Sequence, residues 1–207
     1  MSDLHFVALK SAVETPWRNG GGVTRDLLSW PLGGALGGAL GGALGGALAG
    51  DWQLRVTVAS IDRDGPFSPF PGVARCFNVL SGDGVRLRFA DRTLELRCGD
   101  TPLAFDGADA PGCALLGGAT RDLNLMARSG AGTPRMQLAE AGSGINGVND
   151  ITRWRGLYVA APARLSVDGE QNSIAADTLV WSDNAAPSMW QLESASVGQA
   201  WWLTLRP

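Results

Sequence analysis

Histidine and lysine are almost missing from this 207-residue chain: His5 and Lys10 stand alone against sixteen arginines. Zinc centres, His-dependent triads and Schiff-base chemistry each draw on residues that the chain barely owns. Cysteine is scarce as well. Cys76, Cys98 and Cys113 form an odd set without framework spacing, so reduced thiols in a reducing compartment are expected. No basic stripe is present, and a formal net charge of −3 argues against a nucleic-acid partner. The first residues, Met1-Ser2-Asp3-Leu4-His5, lack a basic region leading into an apolar one, so a secretory signal is not expected and the cytoplasm is. One long uncharged run tests the membrane question. Residues 33–50 are four GGAL units followed by Ala-Gly, with nine glycines and only four leucines. Each glycine costs a helix about 1 kcal/mol relative to alanine, and no Lys or Arg flanks the run closely. It reads as a flexible low-complexity insert in a surface loop, and no membrane partner is expected.

What is present is strand and turn. With 45% hydrophobic and 18% charged residues, the chain is long enough to bury a core without disulfides or a structural metal. In residues 51–60, Trp52, Leu54, Val56 and Val58 fall on one face and Gln53, Arg55, Thr57 and Ala59 on the other, a period of two. Residues 85–89 alternate in the same way, 93–98 follow after a turn, and 157–159, 164–167, 178–181 and 201–205 read as further short strands. Gly/Asp turns separate these runs, at 81–84, 98–100, 106–107 and 167–170. Short strands with regular turns predict an all-β sandwich or jelly roll. A weak internal echo links 87–105 with 165–181: strand, Asp-containing turn, strand, then a small-Asp-Thr step into a third strand. It fits two β-barrel halves in tandem.

Three segments carry more unusual residues than a core requires: PWRNGGGVTRDL (16–27), WQLRVTVASIDRDGPFSPFPGVAR (52–75) and RDLNLMAR (121–128). Together, in this order, they resemble the signatures of the HutD/Ves family across most of the chain. The resemblance lapses over the GGAL insert. Asp26 stands where the signature has Glu, and the third motif runs on as Ser129-Gly130 where a second Arg is usual. The resemblance implies an RmlC-like cupin jelly-roll barrel, a bicupin with a first half in 1–130 that contains the insert and a second half in 131–207. It also implies a protein usually without a catalytic metal. HutD-like members are linked to histidine utilisation, where they limit pathway induction by sensing an intermediate; Ves-like members are described as induced by environmental stress.

The residues allow a separate reading of the metal question. A metal-binding cupin needs an H-x-H pair, a Glu four or five places on, and a Gly seven residues after the Glu. Counting back from Gly82, the Glu position falls on Arg75 and the His positions near Ser68 and Phe70. A hydroxyl, a ring and a guanidinium are poor ligands for a divalent ion, so neither metal nor other cofactor is expected. Arg75 points to bidentate recognition of a carboxylate or phosphate, and Arg55 is a second cation to join it. Asn19 with its three following glycines offers backbone N–H groups to an anion. Asn124, Thr24 and Asp122 add polar contacts, and Trp17, Phe67 and Phe70 flat apolar walls. Such a lining suits a small organic carboxylate, with urocanate or an N-formyl or formimino derivative of glutamate matching the family hint.

Structural readings stand beside these. Arg75 and Arg55 pair with Asp62, Asp64 or Asp122 in one alternative, Asn19-Gly-Gly-Gly is a wide turn or bulge, and Asp122-Leu123-Asn124 is an Asx-capped turn. Three functions follow. The first is a non-enzymatic binding or sensing protein for a small organic acid. The second is a metal-free isomerase or lyase with Asp122 or Asp64 as base, and the third a structural or interaction protein. A homodimer through edge strands is what the cupin analogy offers.

Overall fold

The computed structural model describes residues 4–31, 52–146 and 152–207, so the GGAL insert lies outside the described residues. The described residues form strands almost throughout, some alternating in burial and some buried on both faces. The first nine are β1 (His5–Ala8), β2 (Glu14–Pro16), β3 (Gly22–Pro31), β4 (Trp52–Ile61), β5 (Gly65–Pro66), β6 (Val73–Ser81), β7 (Val85–Arg88), β8 (Thr93–Leu96) and β9 (Leu103–Asp106). They continue as β10 (Gly112–Leu115), β11 (Thr120–Arg128), β12 (Thr133–Leu138), β13 (Gly144–Asn146) and β14 (Trp154–Val159). The last are β15 (Ala163–Val167), β16 (Glu170–Ile174), β17 (Thr178–Ser182), β18 (Met189–Ser194) and β19 (Ala200–Arg206). Among the described residues the helical content is two 3₁₀ turns, Leu9–Ser11 and Gly107–Asp109. None is long and apolar enough to cross a membrane. The protein is all-β.

The chain divides into two units, Ala12–Ala131 and Met1–Ser11 with Gly132–Pro207. The sequence reading puts residues 1–130 in one half. The N-terminal strand instead pairs with the second unit, from His5 opposite Trp181 to Ala8 opposite Thr178.

In the Ala12–Ala131 unit a six-stranded sheet runs β2-β3-β4-β11-β6-β9 and a four-stranded sheet runs β5-β10-β7-β8. In the other unit the orders are β1-β17-β14-β19-β12 and β13-β18-β15-β16. Adding eight to each strand number from β4 to β11 turns the first unit's orders into the second's. The internal echo falls on this shared topology: 87–105 ends β7, makes β8 and enters β9, and 165–181 does the same with β15, β16 and β17. In both places a hairpin of the small sheet leads into a strand of the large one.

Each unit buries apolar side chains between its two sheets. In the first, Ile61, Phe77, Val79 and Phe105 meet Val85, Leu87, Leu96 and Cys113. In the second, Leu157, Val180 and Trp202 meet Leu165, Val167, Ile174 and Leu192. β4 shows how far alternation carries. Trp52, Leu54, Val56 and Val58 are buried as their period implies, and Thr57, Ala59 and Ile61 are buried too, since both faces of that stretch are covered.

Candidate functional site

Strand register decides which polar side chains meet. Across β3, β4, β11 and β6 it sets two rows on one face, Thr24–Ala59–Asp122–Val79 and Asp26–Thr57–Asn124–Phe77. A third row, Arg55–Met126–Arg75–Phe105, crosses β4, β11, β6 and β9. Residues i and i+2 of a strand share a face, so these rows continue the surface that packs against the small sheet. The interior of the first unit thus mixes an apolar end with a polar end.

Arg75 is the centre of the polar end. It is 6% exposed, and its Nη2 donates to Asn124 Oδ1 at 2.7 Å. Asn124 in turn donates through Nδ2 to Asp122 Oδ1, and Asp122 is 1% exposed. Three rings surround the guanidinium, with centroids 5.1 Å (Phe67), 5.4 Å (Phe70) and 5.0 Å (Phe105) from its carbon, all within cation–π reach. Arg75 Nε and Nη1 have no hydrogen-bond partner among the described residues. A guanidinium carries five N–H groups in a planar fork, and Asn124 takes one from Nη2. Whichever edge it takes, a second edge keeps two adjacent donors.

Electrostatics follow from burial. Asp122 is pushed up to about 8, because burial disfavours its charge more than Arg75 and the Asn124 hydrogen bond favour it. Burial also pulls Arg75 down to about 10, with Asp122 opposing and Arg55 reinforcing that shift, so it remains a cation at neutral pH. The Cys113 thiol rises to about 12 through burial, with Asp122 and Asp64 adding to it.

The predicted site residues divide into two groups. Arg75, Asn124, Asp122 and Phe67 converge. Arg55 shares the face, but its Nε and Nη2 bind both carboxylate oxygens of Asp26 at 2.6 and 2.8 Å, not Asp62, Asp64 or Asp122. Asp26 lies opposite Thr57, two residues along β4 from Arg55, and the register shifts just after it, between Asp26 and Leu28. Asp122-Leu123-Asn124 is mid-strand in β11, not a turn. Asn19 is exposed in the β2–β3 hairpin turn. Its Oδ1 accepts from Gly21 N at 3.0 Å and Gly20 N donates to Trp17 O at 3.0 Å, so these N–H groups are used within the turn. Trp17 anchors that hairpin, donating from Nε1 to Thr24 Oγ1 at 2.7 Å while packing against the core. Sequence reasoning missed Phe105 and the role of Asp26. Asp26 left one visible signal, its departure from the Glu of the family signature; Phe105 left none beyond strand alternation.

Of the three positions that the cupin spacing aligned, Phe70 and Arg75 are in contact and Ser68 is exposed. A ring and a guanidinium do not fit a divalent ion. Among the described residues no three His, Cys, Asp or Glu side chains form a metal-binding group.

The second unit supplies a contrast. Arg155 of β14, the strand equivalent to β6, is 2% exposed and lies on the same face as Leu157 and Val159. Its Nη groups donate to the carbonyls of Asn184, Ala186 and Ser188 at 3.1, 3.2 and 3.4 Å, clasping the chain before β18. That arginine is a brace through its hydrogen bonds to loop carbonyls; Arg75 instead donates to a side chain of β11. Two surface clefts among the described residues lie elsewhere. One of about 200 Å³ adjoins Arg155 and one of about 380 Å³ lies between Trp52, Gly72 and Arg128, and neither is lined by Arg75.

A family model described as HutD matches residues 9–202. The chain belongs to the HutD family. An uncharacterized 21.2 kDa protein in the hutC 3′ region of Pseudomonas putida is 34% identical over 126 residues, 61% of this chain and 59% of that protein. Protein Ves of Escherichia fergusonii is 27% identical over 125 residues, 60% of this chain and 58% of that protein. The chain therefore spans less than two thirds of these curated relatives. The solved HutD structure from Pseudomonas fluorescens SBW25, obtained in a formate condition, superimposes with a TM-score of 0.75 at 23% identity, covering 98% of each chain. A cupin 2 conserved barrel domain protein from Leptotrichia buccalis gives a TM-score of 0.55 at 8% identity, covering 100% of this chain and 98% of that one. This HutD-family chain thus has the cupin fold.

Proposed function

We propose that the first unit of this HutD-family protein binds a small organic carboxylate at Arg75 in a sensing or regulatory role, within a cytoplasmic bicupin. The observation that carries the reading is a buried cation with a two-donor edge left over. A buried polar group without a partner is costly, and a carboxylate matches that edge in charge and geometry. Phe67, Phe70 and Phe105 supply flat apolar contact for the rest of the ligand. The shared strand order of the two units supports the bicupin architecture. The hutC-region name of one relative points to histidine degradation, which makes urocanate and N-formyl- or formimino-glutamate the ligands to try first. A thermal-shift series with these acids and formate is the test. Stabilisation by at least one of them, lost in Arg75→Ala and reduced in Arg75→Lys, is expected; no response from any of them refutes the assignment.

One observation favours a second reading, a metal-free isomerase or lyase. Asp122 is a buried carboxyl raised to about 8 beside a fixed cation. At neutral pH such a group is a general acid, and it becomes a base only as the pH passes its own value. Turnover of these same acids, followed by NMR and abolished in Asp122→Asn, separates catalysis from binding.

A further inference from the structure

We infer that carboxylate binding at Arg75 is coupled to proton uptake at Asp122, so that the site selects its ligand together with a proton. This rests on the binding role of Arg75 proposed above and adds its regulation. The geometry is a chain of contacts: Arg75 donates to Asn124, and Asn124 donates to Asp122. A ligand carboxylate on the open edge of Arg75 brings a second anion into the cluster that holds Asp122, with the cation shared between them. Two carboxylates sharing one buried cation repel, and the one without direct contact to it takes up a proton from solvent.

Among the described residues, Arg75 is the cation that acts on Asp122. From β6 it faces Arg75. Across β4 lies Arg55, which is occupied by both oxygens of Asp26 from β3. From the small sheet the groups are Cys113 on β10 and Asp64 just before β5; burial and both Asp122 and Asp64 keep that thiol protonated. Burial already holds Asp122 near 8, and a nearby ligand anion would push it in the same direction. The sign is fixed by this. Below that value the carboxyl is protonated and binding is insensitive to pH; above it the proton must be taken up, and affinity falls by up to tenfold per pH unit.

The test uses the full chain and N-formylglutamate as probe, whose carboxyl groups stay ionised throughout the range. Binding is measured by calorimetry from pH 6.5 to 9.5. We expect a flat affinity up to about pH 7.5, roughly tenfold weakening between pH 8.5 and 9.5, and a flat profile for Asp122→Asn. In the wild-type protein alone, calorimetry at pH 8.5 in two buffers of different ionisation enthalpy reads proton uptake directly, whether or not the variant folds. Equal pH profiles in the two proteins, or zero uptake, overturn the coupling while leaving the carboxylate site standing. No binding of the probe at any pH overturns that site and the coupling together.

Discussion

Replacing Asp122 by Asn should change how stability depends on pH, whatever it does to stability at any single pH. The folded protein holds the Asp122 proton at about 8, against an ordinary value of 3.8 for the unfolded chain. A raised carboxyl favours the folded state fully below its unfolded value. That contribution is lost progressively as the pH rises from about 4 to about 8, and the curve flattens above. Each pH unit inside the window costs the wild type about 1.4 kcal/mol, so the whole window is worth on the order of 5 kcal/mol at most. Asparagine keeps an amide oxygen to accept from Asn124 and carries no proton to lose. Urea denaturation of both proteins at pH 5, 6, 7 and 8 is the assay. The gap between Asp122→Asn and wild type should move steadily in favour of the variant, by about 1 kcal/mol per unit. A gap that stays constant from pH 5 to 8 would show that Asp122 is ionised in the fold, and the account of the cluster would fail with it.

Three further outcomes follow from the packing. Deleting 33–48 joins β3 to β4 through Leu32-Ala49-Gly50-Asp51; since Pro31 already lies opposite Trp52, four residues close this hairpin comfortably. The shorter loop should raise stability by about 1 kcal/mol in urea titration, and loss of soluble folded protein would contradict it. Gly22→Ala should destabilise by roughly 1–3 kcal/mol, because a Cβ there would meet Ser60 O at 2.1 Å and force β3 away from β4; an unchanged melting temperature would refute the close approach. A double-mutant cycle on Arg55→Ala and Asp26→Ala should give a coupling near 1 kcal/mol, the modest figure expected of a bidentate pair with Asp26 39% exposed. Zero coupling would mean that the two residues act independently.

The fold was legible because its causes are local. Alternation in 51–60 and Gly/Asp turns report strands directly, and the echo between 87–105 and 165–181 marks the same hairpin-to-sheet crossing in each unit. The N-terminal strand was not legible, because its partner β17 is remote in sequence and no local pattern names it. The site was half legible for the same reason. Asp-x-Asn is turn chemistry when read locally, yet in β11 it is mid-strand, since Arg75, 49 residues away, supplies the contact that a turn would otherwise provide. Asn19 shows the converse: its Gly-rich context reads equally as an anion cradle or a turn, and the hydrogen bonds from Gly20 and Gly21 decide for the turn. Arg55 found its partner 29 residues back at Asp26, and only register brings those two together.

What makes the Arg75 cluster more than a buried ion pair is the residue between its charges. A direct two-oxygen bridge to Asp122 would use the guanidinium fork and drive the carboxyl below its ordinary value, as paired carboxylates do. Asn124 prevents this by being acceptor and donor at once: its Oδ1 accepts a hydrogen bond from Arg75 and its Nδ2 donates one to Asp122. The cation then draws its remaining support from three ring faces, each worth about 1–2 kcal/mol when desolvated. Quadrupoles stabilise a charge without neutralising it. Arg75 therefore keeps both its charge and an unpaired donor edge, while burial outweighs the attenuated pull of the cation at Asp122 and holds its proton there. Leucine at 124 would break the relay, and aspartate would put the counter-charge directly on the fork. The amide at this strand position thus keeps the arginine available and the aspartate protonated at neutral pH.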